Sequence, residues 1–247
     1  MLNYIQMGNK KSPKTLLFIH GSGCNYKIFG EVYKYLTDYN CILIDLNGHG
    51  KSEGKCSPTV EGYIDNVTAF IKSSEVIKNE QDITIIGYSM GGGIVLGVAL
   101  KKLPNVKKVV VLSGGAKFTK LKDSELMKKY HKTNELDMNL TIQCFTANKP
   151  TPLILKYVDT LEQDPNVTIN DLTACEKFDI SNQIKNIDIP VKIFVARDEI
   201  LVLKEYADFV NTQIKDSILT VFENGRHFLL VSKGKEVAKE INSFISD

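Results

Sequence analysis

Arginine is almost missing from this chain. Of 31 cationic side chains only Arg197 and Arg226 are arginines, and the lysines fall in scattered pairs such as Lys10 and Lys11, Lys101 and Lys102, or Lys128 and Lys129. With 29 acidic residues the net charge is +2, and no polybasic run supplies the electrostatic footprint of a nucleic-acid binder. We read the lysine skew as genome composition rather than function. No apolar stretch reaches the ~18–20 residues that a membrane helix needs. The opening Met1-Leu2-Asn3-Tyr4-Ile5-Gln6 lacks the charged and apolar regions of a signal peptide. Five cysteines, at 24, 41, 56, 144 and 175, are odd in number, widely spaced and without a Cys-x-x-Cys pair. That pattern argues against a disulfide scaffold or a zinc ribbon, and the expected compartment is a reducing cytosol. What remains is a cytoplasmic globular protein. Its 247 residues, 43% hydrophobic and 24% charged, suit one or two domains with a large core.

Short β-branched runs alternate with longer amphipathic segments, which predicts a mostly parallel sheet with helices on both faces. Nearly continuous apolar runs at 16–20, 41–45, 83–87, 109–113, 191–196 and 219–223 suit strands buried on both faces. Residues 2–6 are expected to add an edge strand. Val60, Ile64, Val67 and Ile71 repeat at helical spacing, as do Val237, Ile241, Phe244 and Ile245. Residues 89–103 read as a helix with a glycine-rich start, stopped by Pro104. The rhythm breaks between about 117 and 188. There, lysine-rich amphipathic segments at 124–132 and 151–163 replace strands, and the alternation resumes at Pro190. We therefore expect a core formed by 1–116 and 189–247 and a helical cap, 117–188, inserted before the penultimate strand over the sheet's carboxyl edge.

Gly87-Tyr88-Ser89-Met90-Gly91 matches G-x-S-x-G. Chance yields such a match in roughly one chain in ten of this length, so its setting decides. A strand precedes it and an apolar helix follows, the strand–turn–helix context of a nucleophile elbow. Glycines flank the serine because side chains there would strike neighbouring backbone in so tight a turn. A serine hydroxyl needs a base to take its proton. Of four histidines, His131 sits among lysines, His20 closes a strand and His49 lies in a turn. His227 follows the last strand, at the sheet edge where open α/β folds bind ligands, and is the candidate base. The acid that fixes its tautomer should follow the penultimate strand, where Asp198 and Glu199 both qualify. An oxyanion hole needs two backbone N–H groups. Met90, following the nucleophile, supplies one, and Ser22 in His20-Gly21-Ser22-Gly23 is the best candidate for the other.

These segments, together with Asp45-Leu46-Asn47-Gly48-His49-Gly50-Lys51-Ser52, 196–202 and Gly225-Arg226-His227, resemble the α/β-hydrolase superfamily, in its capped serine esterase/lipase-like branch. The resemblance spans almost the whole chain. It implies that the turn from Asp45 is structural, which assigns His49 to the scaffold. It also implies a spacing P-x5-G-x-x-D-x-x-[VT] around the acid. Counting from Pro190 or back from Val202 selects Glu199, whereas the family's usual aspartate selects Asp198, so both stay open.

The implied activity is hydrolysis of small to medium carboxylic esters through an acyl-enzyme, with no metal or organic cofactor. The implied partner is a small-molecule acyl ester. A carbon–carbon bond hydrolase, a perhydrolase-like enzyme and a non-turnover ligand receptor retaining the triad are the alternatives. Cap residues Phe118, Met127, Met138, Phe145, Leu153, Ile154 and Tyr157 are expected to line an apolar substrate pocket, or else to form the cap's own core.

Overall fold

The computed structural model describes residues 1–161 and 164–246. Seven strands, β1 (Tyr4–Gly8), β2 (Thr15–Ile19), β3 (Asn40–Ile44), β4 (Ile83–Tyr88), β5 (Val106–Leu112), β6 (Val191–Ala196) and β7 (Ser217–Phe222), form one sheet in the order β1-β3-β2-β4-β5-β6-β7. Only the edge pair β1–β3 is antiparallel. β2, β3, β4 and β6 are buried along their whole length, as their nearly continuous apolar runs require. β5 and β7 begin two or three residues earlier than the apolar runs suggest. The early positions of these strands carry polar side chains, Lys107 and Lys108 or Ser217, which interrupt the apolar pattern while the backbone is already paired.

The helices are α1 (Gly30–Tyr33), α2 (Val60–Ser73), α3 (Met90–Leu100), α4 (Glu125–Thr133), α5 (Met138–Phe145), α6 (Pro152–Val158), α7 (Pro165–Lys177), α8 (Lys204–Gln213), α9 (Leu229–Ser232) and α10 (Gly234–Ser246). In α2 and α10 the residues at helical spacing are the buried ones. Thr59 caps α2 by accepting the Gly62 N–H. α3 is buried from Met90 to Ala99 and packs against α2, β4 and β5. It stops at Leu100, three residues short of the expected end, where the chain turns through Lys102 at φ +51°.

Helices α4 to α7 form a helical segment inserted between β5 and β6. Its two ends meet: Lys117 bridges Asp179, and the Ile180 N–H donates to the Ala116 carbonyl at 2.9 Å. Four helices are found where the sequence reading drew two. Each starts at its own side-chain cap, namely Ser124, Asp137, Thr151 and Asp164, the last two followed by proline. The final two positions of the expected 151–163 helix lie outside the described residues.

Candidate active site

Ser89 follows β4 and stands at the N-cap position of α3 in a conformation few non-glycine residues adopt, φ +55° and ψ −119°. Holding it costs about 1–3 kcal/mol, borne by the packed strand and helix on either side. Glycine is obligatory around it. A Cβ on Gly87 would overlap the Gly91 carbonyl, and one on Gly91 would overlap the carbonyls of Ile19 and His20. The turn thus lifts Ser89 Oγ above the carboxyl ends of the strands.

There it meets His227. Ser89 Oγ lies 2.9 Å from His227 Nε2, and His227 Nδ1 lies 2.9 Å from Glu199 Oε2. All three residues are buried. Glu199 Oε1 accepts the backbone N–H of Leu201 at 2.8 Å and of Val202 at 3.3 Å, so the carboxylate is fixed while its second oxygen faces the imidazole. The histidine loop is held in turn: His227 N–H donates to the Cys144 carbonyl, Tyr88 Oη donates to the His227 carbonyl, and Phe228 stacks on Phe145. Asp198 does not touch the imidazole. Its Oδ1 accepts the Arg226 N–H at 3.0 Å and so braces the turn before His227, where Arg226 has φ +44°. Of the two carboxylates left open by sequence, only Glu199 is brought to the histidine. His131 is remote and exposed, paired with Glu176.

Ser22 and Met90 stand on either side of this serine, Ser22 Oγ contacting Met90 Sδ at 3.7 Å. Their backbone N–H groups have no acceptor among the described residues. Behind the loop is His20, wholly buried; its Nδ1–H donates to the Gly21 carbonyl and its Nε2 accepts the Leu46 N–H. Burial, helped by neighbouring His49, pushes its pKa down from 6.5 to about 3. The folded state keeps this ring neutral while the unfolded chain takes up a proton below about pH 6.5. His20 therefore contributes stability that is complete above 6.5 and lost as pH falls toward 3. Between pH 7 and 5 the expected loss is about 2 kcal/mol. We predict that His20→Gln is less stable at pH 7 but has a flatter pH dependence, read by urea unfolding of both proteins at several pH values. Parallel curves would contradict it.

A cavity of about 40 Å³ opens beside Ser89 and His227. Its walls are mainly apolar and come from the inserted helical segment and the core: Leu126, Leu136, Cys144, Phe145, Leu172 and Leu201. A wider cleft of about 490 Å³ shares Ser22, Leu136, Thr141, Phe145 and Thr168 with it and continues outward. The Cys144 thiol, pushed up to about 12 by burial, stays protonated and does not compete as nucleophile.

The residues expected to line a pocket, or else to pack as the core of 117–188, are divided between these places. Of the named residues only Phe145 lines the cavity at Ser89. Phe118 stacks on Phe178 against the glycine face of α3, and Met127 is fully buried within the inserted segment. Tyr157 donates to Glu31 and ties α6 to α1. Met138, 46% exposed, stands at the rim of the outer cleft. Leu153 and Ile154 border a separate hollow beside Asp198. These side chains are apolar because the helices must pack, which sequence cannot separate from lining a pocket.

The cavity at Ser89 is also lined by Thr168 and Leu172 of α7, on the helix face that carries Asp171 and Cys175 as well by i, i+3, i+4, i+7 spacing, a face the sequence pattern does not single out. The mixture of polar and apolar types hides that face from a hydrophobicity pattern. His49, Cys56 and Asp171 form the one grouping among the described residues with a metal-ligand donor set, their atoms within 4.8 Å of one another. Protein donors already occupy both oxygens of Asp171.

A mostly parallel sheet, a serine on a sharp strand-to-helix turn and a helical insertion before the penultimate strand define an α/β-hydrolase. The chain belongs to the family described as Serine aminopeptidase, S33 (Hydrolase_4), which it matches over residues 10–233. It is 59% identical, over 99% of both chains, to a lipase-esterase related protein from Clostridium acetobutylicum ATCC 824, whose structure superposes with a TM-score of 0.95. An esterase from Exiguobacterium antarcticum, 19% identical over 100% of this chain and 96% of its own, shares the fold with a TM-score of 0.84. Among curated proteins, the 2-succinyl-6-hydroxy-2,4-cyclohexadiene-1-carboxylate synthase of Escherichia fergusonii is 31% identical over 99 residues. That match takes in 40% of this chain and 38% of the synthase. Among the described residues no helix is long and apolar enough to cross a membrane.

Proposed function

We propose that this chain is a serine esterase of short acyl esters, acting through Ser89, His227 and Glu199. The single observation that carries the reading is the buried relay, Glu199 to His227 to Ser89, with both contacts at 2.9 Å. His227 Nε2 takes the Ser89 proton as Oγ attacks the ester carbonyl carbon. Glu199 holds the ring in the tautomer that leaves Nε2 free to accept, and it stabilises the imidazolium that forms. The carbonyl electron pair moves onto oxygen, where the N–H groups of Ser22 and Met90 receive it. When the pair returns, the C–O bond to the alcohol breaks and His227 gives its proton to the leaving oxygen. Water then repeats the sequence on the acyl-enzyme and frees the acid and Ser89.

The inner cavity supports the acyl limit. A water-sized occupant needs about 10–15 Å³ of such space, so about 40 Å³ accommodates roughly three heavy atoms beyond the carbonyl. The outer cleft takes the alcohol part and tolerates more. In this reading residues 117–188 act as the cap that shapes both spaces. Five cysteines, none in a disulfide, favour a reducing compartment such as the cytosol.

The test is a panel of p-nitrophenyl esters from acetyl to decanoyl, with amino-acid p-nitroanilides and β-diketones as further arms. We predict that kcat/KM peaks at acetyl to butyryl and falls at least tenfold by octanoyl. A flat profile, or a maximum at long chains, would refute the assignment of the inner cavity to the acyl group. Turnover of diketones or anilides without esters would move the reading to carbon–carbon or amide cleavage.

A further inference from the structure

We propose that Asp171, on cap helix α7, is a positioning residue of the oxyanion loop; the proposal rests on the serine-hydrolase reading above. Ser22 sits between two peptide planes. The first, Gly21–Ser22, has its carbonyl held by His20 Nδ1–H at 2.9 Å and by the Cys24 N–H at 3.2 Å. Because the peptide is planar and trans, anchoring the Gly21 oxygen fixes the direction of the Ser22 N–H on the opposite side. The second plane, Ser22–Gly23, is held through the Gly23 N–H, which donates to Asp171 Oδ2 at 3.1 Å. The core supplies one anchor and the cap the other.

Asp171 is equipped for this. It is fully buried, and a buried carboxylate persists only when its oxygens are satisfied. Oδ2 also meets His49 Nε2 at 2.7 Å, while Oδ1 accepts the Tyr63 hydroxyl at 2.6 Å and Asn170 Nδ2 at 3.3 Å. His49 Nδ1 faces the Asn47 carbonyl at 3.2 Å and must donate there. Core turn and α2 thus grip the aspartate, and the aspartate grips the loop.

Two more side chains of the same helical face press on this loop. Thr168 occupies the space where a Cβ on Gly23 would stand, and Cys175 Sγ lies 3.7 Å from Ser22 Oγ. Gly23 itself has φ +58°, a conformation with no strong preference of its own to fix the plane. Without Asp171 the Ser22–Gly23 peptide loses its hydrogen-bonded anchor, so Ser22 is held from the Gly21 side alone and its N–H is aimed less firmly.

The experiment compares Asp171→Asn with the intact chain on p-nitrophenyl butyrate. It also measures, by fluorine NMR, the affinity for a short alkyl trifluoromethyl ketone. In that adduct Ser89 Oγ bonds to the carbonyl carbon, the hydroxyl proton passes to His227, and the new oxyanion occupies the loop. Asparagine loses one acceptor oxygen and presents an N–H₂ to donors. We expect kcat to fall about 10–100-fold with KM changed by less than about threefold. Adduct affinity should fall by the same factor as kcat/KM. Tyr63→Phe, which removes one bond from the same carboxylate, should move both readouts together by about threefold, and it serves if Asp171→Asn does not fold. A purely structural role lowers the melting temperature and leaves adduct affinity unmoved; that result overturns the proposal. An intact chain that neither hydrolyses esters nor forms the adduct overturns the hydrolase reading, and this inference with it.

Discussion

The Ser89→Ala chain is expected to lose ester hydrolysis by about 10⁶-fold while its melting temperature moves by no more than about 2–4 °C. The activity loss follows from the position of Oγ, the one hydroxyl 2.9 Å from His227 Nε2; removal of a triad nucleophile typically costs that much in kcat. The stability estimate follows from what stays. Alanine keeps the same Cβ at φ +55°, so the strain of the turn is unchanged. Only one hydrogen bond is removed, worth about 1 kcal/mol, which in a chain of this size shifts the transition by a few degrees. Steady-state rates with p-nitrophenyl acetate and a thermal melt of both proteins decide it. Turnover retained within tenfold would remove Ser89 from its proposed role.

The second large effect separates two adjacent carboxylates. Glu199→Gln is expected to lower kcat by about 10³–10⁴-fold, and Asp198→Asn by no more than about threefold. Glu199 uses its oxygens for two tasks: Oε1 takes the N–H groups of Leu201 and Val202, and Oε2 faces His227 Nδ1. Glutamine can keep its carbonyl on the backbone donors only by turning its N–H₂ toward the imidazole. Nδ1 must then accept, the ring proton moves to Nε2, and the base can no longer take the serine proton. Asp198 has a different task, which asparagine keeps with its own carbonyl oxygen: it accepts the Arg226 N–H. The reverse pattern of losses would place the acid at Asp198.

The same pair shows what the chain discloses before folding is known. Counting from Pro190 and from Val202 lands on Glu199, while preference for the shorter acid lands on Asp198. Only the turn after β6 separates the two, sending Asp198 to the Arg226 backbone and Glu199 to His227. Ser89 and His227 were easier because strand and glycine signals fix where they sit along the sheet edge. Four of the strands, β2, β3, β4 and β6, coincide closely with apolar runs, since a strand buried on both faces has little choice of residue. The inserted helices were half legible. α5 and α7 begin at Asp137 and at Asp164 before Pro165, signals of the right kind, but α7 turns a mixed face of Thr168, Asp171, Leu172 and Cys175 inward. A helix that buries an aspartate to hold a loop obeys no hydrophobic period. The cavity lining failed for a related reason: Phe118, Met127 and Tyr157 are large and buried, and neither property says which void they border.

The doorway of the insertion has a consequence for how such proteins diversify. Entry at Ala116 and Lys117 and exit at Asp179 and Ile180 are laced together by backbone contacts. A segment whose two stems touch imposes almost no length requirement on its host, because lengthening it adds only a slowly growing closure entropy. Strand register and serine turn are then insulated from what grows between the stems, whereas the histidine loop leans on it through Cys144 and Phe145. Substrate preference can be rewritten there by exchanging whole helices, provided the replacement still offers the loop at Gly23 an acceptor.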